Sequence, residues 1–373
     1  MHQLTYGDIK AATDRIAGHV RPVTLAPLGD EPVPGALPAP RGTKGPEVWL
    51  ALEFMQHTGS FKARGAQNFL QAHRDAGTLP DSGVTIASGG NAGLACAWAA
   101  RRQGVPATVF VPETAPAVKV AGLRSYGADV RLVGTEYAEA LAACEEFAAA
   151  TGALASHAYD QPLIAAGAGT LLGEIRAQVP GLDTVVVAVG GGGLFAGVAT
   201  AARHHGIRTV AVEPERCRAL NAALENGAPV DVTVDSVASD SLGARRASAM
   251  ALHAARGGDV HSVLVPDSEI VRARRALWDD RRIAVEHAAA TALAALTAPS
   301  SSAELSDSSG SFAPSASSVP SALPVPPVRA GHASHGELPV AGYRPGEGEK
   351  IAVVLCGANT DPGDLTAPRS FGA

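Results

Sequence analysis

Hydrophobic and polar positions along this chain switch repeatedly between a helical and a strand period. The opening stretch MHQLTYGDIKAATDRIAGHV sets Asp8, Lys10, Asp14 and Arg15 among apolar residues at helical spacing and predicts an amphipathic helix. Pro and Gly punctuate residues 22–47, and VWLALEFM then predicts a strand. HTGSFKARGA follows and opens a helix running through Phe69 and His73. From Gly83 the alternation is regular. Strands GVTIAS, PATVFVP and ADVRLVG are interleaved with a turn and helix, GGNAGLACAWAARRQG, and with helices AVKVAGLRSYG and YAEALAACEEFAAATG. Past Asp160 the pattern resumes as helix AAGAGTLLGEIRAQ, strand TVVVAV, a GGGG turn, helix LFAGVATAARHHG and strand RTVAVEP. Residues 269–297 read as helical, and KIAVVLCGA as a last strand.

Repeated β-α-β with short connections predicts parallel sheets covered by helices, an α/β fold. Residues 298–339 break the pattern. They are rich in Ser, Pro and Ala with few bulky apolar side chains, a composition that buries too little to offset its ordering entropy, so they are predicted to be a disordered insertion. The strand that follows must rejoin an existing sheet, which makes the insertion a loop decorating one domain and not a linker.

A length of 373 residues calls for one large or two medium domains. An aromatic content of 4% argues against stacking platforms for single-stranded nucleic acid, and a net charge of −6 against any partner held by its phosphates. The N-terminus lacks the apolar core of a signal peptide, and no apolar run is long enough to span a bilayer. Cys96, Cys144, Cys217 and Cys356 are widely separated with no CxxC pair, so neither a disulfide framework nor a zinc site is implied and a reducing cytoplasm is expected.

Four places carry candidate chemistry. Lys62, behind Thr58-Gly59-Ser60 and ahead of Arg64, is either a solvated lysine after a plain N-cap or a lysine that reacts. Gly190-Gly191-Gly192-Gly193, between a Val-rich strand and a helix, lets backbone N–H groups approach a phosphate at a helix N-terminus. Gly191-x-Gly193-x-x-Ala196, with Glu213 ending the next strand, also fits a dinucleotide fingerprint, and a ligand-free βα turn fits as well. In ASGGNAGLA, Ser88 and Asn91 sit at a helix start, as an N-cap or as a polar loop for a carboxylate or phenolic oxygen. Cys356 ends the last strand, as a core hydrophobe or as a ligand contact. All four share one address, the carboxyl ends of strands, where ligands of open α/β sheets gather.

With these motifs in this order, the chain resembles the pyridoxal-phosphate-dependent serine/threonine dehydratases, of the fold type II that includes threonine synthase, cysteine synthase and serine racemase. The resemblance runs from LALEFMQHTGSFKARGA to CGANTDP, nearly the whole chain apart from residues 298–339. It implies two open, twisted, mostly parallel sheets: a small domain at about 82–157 inserted into a large one made of 1–81 and 158–373. It further implies that Lys62 carries the cofactor, with Phe61 beside the pyridine ring and Asn91 on the phenolic oxygen. Gly190, Gly191, Gly192, Gly193 and Leu194 would hold the phosphate, and Cys356 would contact the pyridine nitrogen. The substrate carboxylate would lie on Ser88, Gly89 and Asn91. A thiol cannot hold a proton on the ring as a carboxylate would, which suits β-elimination better than transamination. The implied activity is dehydration and deamination of L-threonine or L-serine to a 2-keto acid and ammonia, by a homodimer.

Where relatives read S-S-G-N-H, this chain reads Ser88-Gly89-Gly90-Asn91-Ala92. Gly89 stands where the racemase has its second-face serine base, which disfavours racemisation. Glu213 matches the family's metal position and the Cys217 carbonyl could contribute, but Ala219 replaces an aspartate. The set therefore suits a monovalent cation such as K+, with carbonyls near Leu242–Ala244. Glu286 matches a family glutamate, with His287 in place of the usual proline. No regulatory domain is expected after the last strand. Threonine synthase is the runner-up within the class, although no extra basic cluster offers a site for a phosphorylated substrate. An NAD-binding oxidoreductase would leave Lys62, Asn91 and Cys356 without a role.

Overall fold

The computed structural model describes residues 3–29, 44–298 and 342–366, so the segment predicted to be disordered lies outside the described residues apart from Ala298. Helix α1 (Tyr6–Ile16) opens the chain through a capping box: the Thr5 hydroxyl accepts from Asp8 N while the Asp8 carboxylate accepts from Thr5 N. Strands β1 (Leu25–Pro27) and β2 (Glu47–Ala51) precede α2 (Lys62–Asp75). Then come β3 (Val84–Ala87), α3 (Asn91–Gln103), β4 (Ala107–Val111), α4 (Ala117–Ser125), β5 (Asp129–Leu132), α5 (Tyr137–Thr151) and β6 (Leu154–Ala155). The next run is α6 (Pro162–Gln178), β7 (Thr184–Ala188), α7 (Gly193–His205), β8 (Arg208–Pro214), α8 (Ala219–Asn226), α9 (Ser239–Leu242), α10 (Ala249–Gly257) and β9 (Val260–Val265). The described chain closes with α11 (Asp267–Arg281), α12 (His287–Thr297), β10 (Lys350–Val354) and α13 (Gly363–Thr366).

Two sheets result. Six strands run in the order β1-β2-β10-β7-β8-β9, all parallel except that β1 is antiparallel to β2. Four run in the order β5-β4-β3-β6, all parallel. The strands of a parallel sheet are covered on both faces, which is why β7 and β10 read as Val-rich runs and not as alternating patterns. The last strand lies inside the larger sheet: Val353 pairs with Leu50 on one side and Val186 on the other. Each sheet has its own core, and the core of the smaller one recruits Ala63, Phe69 and Leu70 from α2 and Ile164 from α6.

Two predicted elements are corrected. VWLALEFM is a strand only to Ala51, because Glu53 turns inward in a short 3-10 turn (Glu53–Met55) to meet the buried Arg64. The guanidinium is gripped by two carboxylates, Glu53 at 2.6 and 3.0 Å and Glu174 at 2.6 and 2.9 Å, which ties the start of α2 to α6. Residues 269–297 are two helices and not one. Arg282 adopts the left-handed region at φ 56° and ends α11, and α12 restarts behind Glu286.

Candidate active site

The cleft is built where strands end and helices begin. α2, α3, α7 and α12 all start there, and their N-termini bring partial positive charge and unspent N–H groups to one place.

Lys62 is the first residue of α2, and nothing of the plain N-cap is present. The N-cap is Phe61, which makes no side-chain cap bond. Thr58 instead sits in a short 3-10 turn at φ 62°, and Ser60 is extended and bridges to Gly357. The hydroxyls of Thr58 and Ser60 are buried without a partner among the described residues. Phe61 N donates to Cys356 O at 3.0 Å and Ala358 N to Gly59 O at 2.9 Å, so the exit of β10 fixes the residues leading into Lys62. Lys62 Nζ donates to Ala158 O at 2.7 Å and lies 4.8 Å from the centre of the Phe61 ring. Burial lowers its pKa to about 8, against the opposing pull of Cys356 and Glu286.

Cys356 is buried, and desolvation pushes its thiol up to about 12, so it is protonated at neutral pH. Asn91 is the first residue of α3; its N-cap is Gly90, so the Asn N-cap reading misses by one position. Its side chain reaches across the cleft instead. Nδ2 donates to Glu286 Oε1 at 2.9 Å and Oε2 at 3.0 Å, and Oδ1 accepts from Asn359 Nδ2 at 2.7 Å. Ser88, Gly89 and Gly90 form the partly open loop between β3 and α3. A Cβ at Gly89 would lie 3.2 Å from Val111 Cγ1, so the loop is already tight at the position where a second base would stand.

Gly190 to Gly193 link β7 to α7, with Gly192 at φ 92°. Three of the glycines are also required by packing. A Cβ at Gly191 would come within 2.4 Å of the Tyr159 ring, one at Gly193 within 3.0 Å of Tyr159, and one at Gly192 within 2.3 Å of Ala251 Cβ. Among the described residues, the backbone N–H groups of Gly190 to Leu194 meet no acceptor, while Ala196 N already turns back to Gly192 O. The Leu194 side chain belongs to the core, so only its N–H can serve a ligand.

These observations test whether pyridoxal phosphate fits. A row of free N–H donors at a helix start suits its phosphate, a buried amine of lowered pKa suits its carbonyl carbon, and a neutral thiol suits an unprotonated ring nitrogen. The residues fit the group. Glu213 does not serve a ribose: it is fully buried and its oxygens accept Leu220 N and Asn221 N, both at 2.7 Å. That removes the acid on which the dinucleotide reading rests. Burial outweighs those two donors and raises the Glu213 pKa to about 8. Cys217 is buried next to it in the turn before α8. No group of three or more His, Cys, Asp or Glu among the described residues could hold a metal ion. No helix among them is long and apolar enough to cross a membrane.

Sequence reasoning missed Asn359, Ser241, Ala158 and Tyr159, and left Glu286 without a role. Asn359 stands in the quoted CGANTDP, but its partners lie more than 70 residues away in sequence, and no period or cap signal marks it.

The comparisons agree with this geometry. The model of the family described as "Pyridoxal-phosphate dependent enzyme" matches residues 28–310. An L-threonine ammonia-lyase of Geobacter sulfurreducens is 38% identical over 254 residues, 68% of this chain and 63% of that protein. The match thus spans less than two thirds of that relative's length. A human serine dehydratase-like protein is 38% identical over 258 residues, 68% of this chain and 77% of that one. Among solved structures, maize serine racemase superposes with a TM-score of 0.76 at 25% identity, covering 98% of this chain and 96% of that one.

Proposed function

This chain belongs to the pyridoxal-phosphate-dependent enzyme family, and from that premise we propose that it is an ammonia-lyase acting on L-threonine, L-serine or both. The β-hydroxyl leaves as water, and hydrolysis of the resulting enamine releases ammonia and gives a 2-keto acid. The observation that carries this reading is the placement of Lys62: its buried amine meets Ala158 O beside the Phe61 ring, and its lead-in is fixed by the bond from Phe61 N to Cys356 O.

Pyridoxal phosphate, when bound, supplies a carbonyl that captures amines and a ring that draws electrons from the substrate Cα. Lys62 would hold it covalently, Phe61 would lie beside the ring, Asn91 would donate to its phenolic oxygen, and the N–H groups of Gly190 to Leu194 would take its phosphate. Lys62, with a pKa near neutrality, takes up the Cα proton as general base. The Cys356 thiol would donate to the ring nitrogen without protonating it, which would keep the electron demand moderate and favour loss of the β-hydroxyl over transamination. Ser88, Gly89 and Asn91, at the N-terminus of α3, receive the substrate carboxylate, where the helix dipole favours negative charge.

The cleft lies between the four-stranded part, about residues 82–157, and the six-stranded remainder, which we take as small and large domains. A monovalent cation such as K+ belongs to the same reading. Burial favours the protonated acid at Glu213, so a cation would bind there by displacing that proton, with carbonyls at Cys217 and near Leu242–Ala244 completing an oxygen cage. A cytoplasmic homodimer is also part of it, consistent with four free, buried cysteines.

The test is the near-ultraviolet and visible spectrum of the purified protein before and after L-threonine, with keto acid and ammonia measured beside a Lys62→Ala control. A lysine-bound cofactor band that shifts with substrate and is lost in the control is expected. A protein that cannot be reconstituted with pyridoxal phosphate refutes the proposal.

A further inference from the structure

Four segments that line the cleft meet on one carboxylate. Glu286, the N-cap of α12, is buried and receives Asn91 Nδ2 at 2.9 and 3.0 Å, Ser241 Oγ at 2.9 Å and the backbone N–H of Asn359 at 2.8 Å. Its own backbone N–H donates to Gly357 O at 3.0 Å. Asn359 extends the set: Nδ2 donates both to Thr58 O and to Asn91 Oδ1, each at 2.7 Å. A Cβ at Gly59 would come within 2.5 Å of Asn359 Oδ1, so the turn before Lys62 is shaped around this amide.

Both ends of this chain of hydrogen bonds can only accept. Thr58 O is a backbone carbonyl, so Asn359 must turn its NH2 toward it and, with the second hydrogen, toward Asn91. Asn91 must then present Oδ1 to Asn359 and NH2 to the Glu286 carboxylate, which demands the same orientation. The flip of the Asn91 amide is therefore set twice over. Seen from one nitrogen, the two oxygens of a carboxylate lie too close together to receive two diverging N–H bonds. The near-equal distances to Oε1 and Oε2 describe one shared hydrogen. The other Nδ2 hydrogen has no acceptor among the described residues.

We propose that Glu286 and Asn359 are the positioning residues of this site: they lock Asn91 so that its spare N–H, and not its carbonyl oxygen, is offered to the cofactor oxygen, an inference that rests on the cofactor chemistry proposed above. Through the same bonds they hold the β3–α3 loop against the lead-in to Lys62 and the exit of β10. On the cofactor oxygen both act through Asn91.

The test uses the full chain in two forms. In cofactor-free protein labelled at asparagine side chains, the Asn91 amide resonances (identified by their loss in Asn91→Ala) should move in Glu286→Gln and in Asn359→Ala. A glutamine offers one acceptor oxygen where the carboxylate takes three donors, so the Asn91 amide loses part of its hold. In the holoenzyme, Asn359→Ala, which changes no charge, should raise the pH midpoint of the bound cofactor's visible band by about one unit, the effect of losing a hydrogen bond to a charged group. In the Asn91→Ala background Asn359→Ala should not shift the band further, because a residue acting through Asn91 has nothing left to act on. Asn359→Ala carries the test alone if Glu286→Gln does not fold. Unmoved Asn91 resonances, or a band shift that persists in the Asn91→Ala background, would overturn the proposal. A wild-type protein with no Lys62-dependent band overturns the cofactor reading and this inference with it, and the cofactor-free spectra tell the two failures apart.

Discussion

Capture of the cofactor aldehyde by Lys62 should follow the titration of a buried amine. With a pKa of about 8 in place of the ordinary 10.5, about a tenth of Lys62 side chains are neutral at pH 7, ~300-fold more than in an unshifted lysine. Only the neutral amine attacks a carbonyl, so the second-order rate at which cofactor-free protein takes up pyridoxal phosphate should rise about tenfold per pH unit up to about 8 and then level off. Stopped-flow absorbance between pH 6 and 10 measures this directly, with a free amino-acid amine as the unshifted control. Burial is the dominant cause and the Cys356 and Glu286 side chains oppose it, so Glu286→Gln should move the plateau to lower pH. The sign carries into stability. A lysine whose folded pKa lies below its unfolded value sheds its proton first in the folded state. The burial penalty of this group on cofactor-free protein is therefore relieved as pH rises from about 8 toward 10.5, and stability increases over that range. A rate that still climbs tenfold per unit above pH 9 would refute the buried-amine argument.

Three further outcomes follow from packing and charge. Gly191→Ala would drive a methyl into the Tyr159 ring, so cofactor affinity measured by fluorescence titration should fall by about tenfold or more, and Tyr159→Ala in the same chain should recover part of it. Arg64→Met leaves the buried Glu53 and half-buried Glu174 carboxylates without their cation and should cost about 3–5 kcal/mol in urea unfolding. Burial already raises the Glu53 pKa, and losing Arg64 raises it further, so the folded variant binds the extra proton; its deficit should shrink as pH falls and largely vanish with Glu53→Gln. Cys356→Ser keeps a neutral hydrogen-bond donor and should change kcat by less than about tenfold, whereas Cys356→Asp should slow elimination and favour transamination products in a keto-acid assay.

Most of the alternating framework was legible because its signals are local. β8 is predicted to the residue as RTVAVEP, and α3, α5 and α7 to within one position, since period, glycine C-cap and turn lie within a few residues of each other. Where the reading fails, a distant partner overrides the local signal. Glu53 leaves its strand for Arg64, and Arg282 breaks a helix whose composition would continue it. β1, β6 and β9 escape notice, the first two because they are too short to show a period. In the site, Lys62, Asn91, the glycine loop and Cys356 each stand at a strand–helix junction that sequence can mark. Glu286 and Asn359 acquire a role only when α12 and the exit of β10 come together.

The order of strands in the larger sheet has a consequence for biosynthesis. Ile351 in β10 pairs with both Val48 and Thr184, across separations of roughly 300 and 170 residues. Until the ribosome has released residues beyond 354, β2 and β7 lack the strand that lies between them in the finished sheet, and each keeps one ladder of N–H and C=O groups without its partner. Cofactor capture cannot begin earlier, because Cys356, Asn359 and the bond that seats Phe61 all arrive with that strand. Between the completion of β7 and that of β10 the nascent chain thus lacks the strand that joins them, and it is in that interval that a chaperone, or aggregation, would find it.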